Sequence, residues 1–169
     1  MMQHRTRLLA AASTAVTAAA LAVSGLAAAS AATPAASGTE HFQIMTTSSS
    51  ERAPSTIVAT GVFTAGGLDH PGSKADTITF PGGGFKISHS RGHGKQTFNP
   101  KTCLFVISQH GTFKVGSGTG KYAGISGHGT YQLSILAVGA RTAKGACSKN
   151  ASPVAWEQVI KASGPVTLK

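Results

Sequence analysis

Carboxylates are scarce in this chain. Its 169 residues hold 5 Asp and Glu against 15 Lys and Arg, for a formal net charge of +10. Glu40 and Glu51 fall in a polar leader, which leaves Asp69, Asp76 and Glu157. Glycosidase chemistry needs two converging carboxylates. Asp76 and Glu157 lie on separate expected strands, so nothing in the spacing brings them together. A hydrolytic triad needs a nucleophile, a base and an orienting acid, and no G-x-S-x-G elbow occurs. Cysteine is as sparse, at two residues, which excludes metal ribbons. There is no Gly-X-Y period and no sustained heptad, so collagen and coiled-coil classes are excluded as well. Charged residues make up only 12%, whereas glycine alone numbers 21. Few charges with abundant Gly, Thr, Ser and Val suit strands joined by tight turns rather than solvated helices.

One long apolar run exists, and it lies at the N-terminus. Arg5 and Arg7 precede an uncharged stretch from Leu8 to Ala28, and Ala29-Ser30-Ala31 follows as an A-x-A site. This is the tripartite pattern of a secretory signal, with cleavage expected between Ala31 and Ala32. The expected location is therefore extracellular, by a Sec-type route. Residues 1–31 are the signal, 32–54 a flexible leader, and 55–169 the folded domain. Loss of Arg5 and Arg7 leaves a net charge of +8. The mature part has no second run of about 18 apolar residues, so no stable membrane insertion is expected of it.

From Ser55 onward the pattern is strand, turn, strand. Thr56 to Thr64 is rich in β-branched residues and ends at Gly66-Gly67. Asp76 to Phe80 stops at Pro81-Gly82-Gly83-Gly84, a strong turn signal. Phe85 to Ser90, Thr130 to Leu136 and Trp156 to Lys161 alternate apolar and polar residues, as half-buried strands do. Cys103 to Ser108 is apolar on both faces and reads as central. His41 to Met45 reads as a short edge strand or plug within the leader. The fold class is all-β: a single antiparallel barrel of about eight strands, since closure removes exposed edges. In an exported chain the lone pair Cys103 and Cys147 is most simply a disulfide.

Gly118-Thr119-Gly120-Lys121-Tyr122-Ala123-Gly124-Ile125-Ser126-Gly127-His128-Gly129 carries a resemblance. It resembles the "G-T-G-x-aromatic-x-G-apolar-x-G-x-G" segment of secreted bacterial, actinobacterial-type proteins with an allene-oxide-cyclase-like or dirigent-like β-barrel. The resemblance spans roughly Ser55 to Leu168 and is specific in this run alone. It implies an eight-stranded barrel, in some members with a central cavity for an apolar ligand. It carries no catalytic residue across. Gly118, Gly120, Gly124, Gly127 and Gly129 read as turn and bend glycines, with Tyr122 packing inward.

The remaining motifs are weaker. A phosphate loop would need glycine at Val115 and Ser or Thr at Tyr122, so no nucleotide is expected. His89 and His93 have chelating spacing, and Asp69-His70 adds a carboxylate beside an imidazole. Zinc needs three convergent ligands, and Gly92 and Gly94 mark a surface turn here. No metal and no cofactor are therefore expected.

Two binding sites remain. Phe105, Ile107 and Gln109 share one strand parity, and Tyr131 and Leu133 another, so together they are the candidate lumen for a small apolar ligand. Small barrels are also filled by their own side chains. Lys86, Arg91, Lys95 and Lys101 are the candidate face for an anionic surface or matrix polymer. The expected function is an exported, non-catalytic barrel that binds an apolar molecule. The alternatives are a basic interaction protein and a cavity-based isomerase or cyclase.

Overall fold

The computed structural model describes residues 35–148 and 150–169. The signal assignment, residues 1–31, lies outside them. Within the described residues the chain is all-β and contains no helix. Eight strands follow in order: β1 (Ala36–Thr46), β2 (Ser55–Thr60), β3 (Ala65–His70), β4 (Asp76–Phe80), β5 (Gly83–Asn99), β6 (Leu104–Gly120), β7 (Ser126–Val138) and β8 (Ala155–Leu168). Each pairs antiparallel with the next, and β1 pairs with β8 to close the barrel.

Alternation decides which side chains fill the interior. In β1 Glu40, Phe42 and Ile44 point inward, and in β2 Ser55, Ile57 and Ala59 do. Phe85 and Ile87 of β5, Phe113 and Val115 of β6, and Val166 of β8 complete the set. Loop residues plug the end where β1 starts and β8 finishes. Phe63, between β2 and β3, and Tyr122, between β6 and β7, meet with ring centroids 5.1 Å apart. Phe80, Phe85 and Phe42 stack around them in tilted and edge-on contacts. Such pairs add about 0.5–1.5 kcal/mol each beyond burial. This end of the lumen is filled, as expected of a small barrel.

The strands are unequal, and this shapes the other end. β2, β3 and β4 have 6, 6 and 5 residues, whereas β5 and β6 have 17 each. β4 last pairs with β5 at Asp76 opposite Ile87. Beyond that level β5 to β8 continue as a wall, with β1 still paired to β8 as far as Thr46 opposite Gln158. The Cys103–Cys147 disulfide, with Cα atoms 5.4 Å apart, ties the β5–β6 turn to the long β7–β8 loop. The Arg141 guanidinium in that loop donates to the carbonyl of Lys101.

Several expectations need correction. The barrel begins at Ala36, not Ser55, because most of the supposed leader is the closing strand β1. Its inward Phe42 and Ile44 supply the apolar alternation that overrides the polar Ala, Ser and Thr around it. Gly66-Gly67 is inside β3 rather than a turn. The His89–His93 segment is not a surface turn but part of β5, which bulges between Arg91 and Gly94. The expected Cys103–Ser108 and Gly111–Val115 strands are one strand, β6. Cys103 precedes it and is fully buried.

Candidate ligand site

The five lumen candidates come together. Register pairs Phe105 with Ala137, Ile107 with Ile135, Gln109 with Leu133, and Gly111 with Tyr131. All therefore share the inner face of the β5–β8 wall. Trp156 and Ile160 of β8 continue that face opposite Ala137 and Leu133. Ile160, opposite Ile44 of β1, packs against the filled core, and the others continue from it along the long strands, past the last pairing of β4 with β5. Phe105, Ile107, Leu133, Trp156 and Ile160 are only partly buried. Phe98 of β5 stays 45% exposed, with its ring 4.4 Å from that of Phe105. Sequence reasoning did not include Trp156, Ile160 or Phe98, although the alternation of Trp156 to Lys161 signals the first two.

A polar floor lies where this face meets the closed barrel. Asp69 of β3 is 3% exposed, and its Oδ1 has no partner among the described residues. Asp76 of β4 accepts a hydrogen bond from the Gly72 N–H at 3.0 Å through Oδ1, and its Oδ2 lies 3.4 Å from His89 Nε2. The His89 ring meets Tyr131 edge-on at 6.3 Å. Gln109 Nε2 donates to the Tyr131 hydroxyl at 3.1 Å. Burial, and then the charge of Asp76, push the Asp69 carboxyl up to about 7. Asp69 therefore exchanges its proton near neutrality, unlike an ordinary surface carboxyl. The Trp156 indole N–H is also buried with no partner among the described residues.

Other candidates separate. Asp69 points inward while His70 contacts Thr79 Oγ1 at 3.4 Å on the other face, so they form no pair. Glu157 is exposed on the outer face of β8 and does not converge with inward Asp76. Among the described residues no three His, Cys, Asp or Glu converge on a metal position. The four basic residues do not share one face either. Lys86 and Lys95 are on the outer side of β5, Arg91 is opposite Gly111 on the inner parity, and Lys101 is in the β5–β6 turn.

Glu40 is the acid that sequence reasoning set aside with the leader. It is fully buried near the aromatic plug, and its Oε2 accepts from the Phe63 N–H at 3.1 Å. Burial raises its carboxyl, opposed by the N–H groups of Phe63 and Val62 and by the charge of His41. Burial and the nearby Glu40 raise the Tyr122 hydroxyl in turn. The glycine run is the turn that carries this tyrosine. Gly120 and Gly124 have φ of +57° and +77°, and a side chain on Gly118 would overlap the Tyr122 carbonyl. Gly127 and Gly129 run close against the β8 backbone at Pro165 and Ser163.

A separate depression of about 840 Å³ lies on the outer side, among His41, Met45, Val58, His110 and Lys161. Those five side chains are exposed, and neither Glu40 nor Asp69, the buried carboxylates with an oxygen unpartnered among the described residues, lines it, so the inner face is the stronger site. No known protein family, curated protein or solved structure matches this chain.

Proposed function

We propose that this protein is an exported, non-catalytic binding module. It holds a small apolar molecule against the inner face of the β5–β8 wall. The observation that carries the reading is the partly exposed apolar strip Phe105, Ile107, Leu133 and Trp156, which continues from the buried Ile135 and Ala137 and from Ile160, itself packed on the filled core. An apolar strip with a few convergent polar groups is the usual form of a small-molecule site. Gln109, Tyr131 and the unpartnered Trp156 N–H supply those groups. The disulfide and the N-terminal signal pattern support export, and the Gly118–Gly129 run supports kinship with the cyclase-like and dirigent-like barrels.

One observation favours the isomerase or cyclase reading. Asp69 is a buried acid that titrates to about 7 beside Asp76, and acid–base catalysis uses groups tuned to working pH. The polyanion reading is weakened, because the four basic residues are spread over two faces and a turn.

The test uses a neutral apolar probe, N-phenyl-1-naphthylamine, and the fluorescence of Trp156, the only tryptophan. Saturable binding that alters Trp156 emission is expected. Leu133→Gln keeps the side-chain length and should weaken binding about tenfold, the equivalent of part of one buried leucine. Non-saturable binding, or binding indifferent to Leu133, would overturn the reading.

A further inference from the structure

The long strands leave one sheet edge uncovered. β5 has β6 on one side throughout, but the pairing with β4 ends at Asp76 opposite Ile87. Ser88 to Asn99 therefore have no strand on their other side among the described residues, and every one of them is exposed. A bulge between Arg91 and Gly94 interrupts this edge. Past the bulge, Gly94 to Asn99 run in unbroken register with Gln109 to Leu104. That six-residue stretch spans about 20 Å at the usual strand rise. Its far end is fixed by the Cys103–Cys147 disulfide and by the Arg141 bond to Lys101, so it is held ready rather than ordered on contact.

Charge selects the partner. The sequences of β5 and β6 contain no Asp or Glu, and the uncovered part of β5 carries Arg91 before the bulge and Lys95 past it. A second copy would bring the same acid-free edge and no charge complementary to Arg91 and Lys95. A polyanion without amide groups would meet the cations but leave the free edge carbonyls unpaired. An extended peptide satisfies both N–H and C=O groups, and acidic side chains meet the cations.

We propose that the Gly94–Asn99 edge of β5 is a docking site for an extended acidic peptide segment, which adds to the sheet as a ninth strand beside β5. The edge adjoins the inner face at Phe98, whose ring meets that of Phe105, and an added strand would extend the wall beside the apolar site.

The experiment titrates the purified full chain with a short blocked peptide alternating threonine and glutamate. Binding is read by anisotropy, and backbone pairing by amide hydrogen exchange. Affinity for the acidic peptide and new protection at Gly94 to Asn99 are expected. The double charge reversal Arg91→Glu, Lys95→Glu should weaken binding at least about tenfold and leave the unfolding midpoint within the small range of surface substitutions. Equal affinity for the same peptide N-methylated at alternate amides would show that no strand is added and would overturn the proposal. So would equal protection by inorganic polyphosphate, which would make the edge a polyanion site. Protection of the same residues in the peptide-free protein together with a dimeric mass would assign the edge to a second copy and likewise overturn it.

Discussion

Asp69 makes the stability of this barrel depend on pH in an unusual direction. Its carboxyl moves from an ordinary 3.8 when unfolded to about 7 in the folded chain, chiefly through burial. Between those values the folded state holds a proton that the unfolded state has released. Stability from this group is therefore present below about pH 4, declines as pH rises through the window, and is gone above about pH 7. At about 1.4 kcal/mol per pH unit, the full loss is about 4 kcal/mol. Asp69→Asn removes the titration and keeps the shape. Relative to the native chain, the variant should gain little near pH 4 and up to about 4 kcal/mol near pH 8. Glu40, also raised by burial, contributes a slope of the same sign, but it is common to both proteins and cancels in the comparison. The assay is urea unfolding followed by Trp156 emission across that range. Parallel curves for the two proteins, or an advantage for the variant that shrinks as pH rises, would refute the reasoning.

Two further outcomes follow from packing and covalent closure. Phe42 is 2% exposed and its ring touches those of Phe63, Phe85 and Phe113. Phe42→Ala should cost about 3–5 kcal/mol in chemical denaturation, and a loss below about 1 kcal/mol would mean the plug does not depend on it. Replacing Cys103 and Cys147 together by serine removes a cross-link across a sequence separation of 44 and should cost about 4 kcal/mol under oxidising conditions. The same substitutions should change nothing when the native chain is fully reduced for comparison.

The fold class was legible because alternation and Gly-rich turns recur along the chain. The shared face of these residues was legible for the same reason: strand parity alone puts Phe105, Ile107 and Gln109 together, and register adds Tyr131 and Leu133. Strand β1 was obscure because Ala36 to Thr39 carries no apolar alternation, and only Phe42 and Ile44 mark it. Strand β3 was obscure because Gly66-Gly67 imitates a turn. In the fold Gly67 runs against the Thr79 backbone and the Phe80 ring, where a side chain would not fit. The floor of the site was hidden for a different reason. Asp69, Asp76 and His89 come from three strands, and nothing local announces that their inward parities coincide.

The sequential order of the strands also sets a timetable. Seven of the eight strand contacts join neighbours in sequence and so need only local chain closure. The seam between β1 and β8 joins Ala36 to Leu168 and is the exception. Until the last strand is available, β1 has one unpaired side, and Glu40 has yet to face Gly164 across the seam. The ring is therefore expected to close last, and any delay in forming that seam lengthens the life of an open, aggregation-prone sheet.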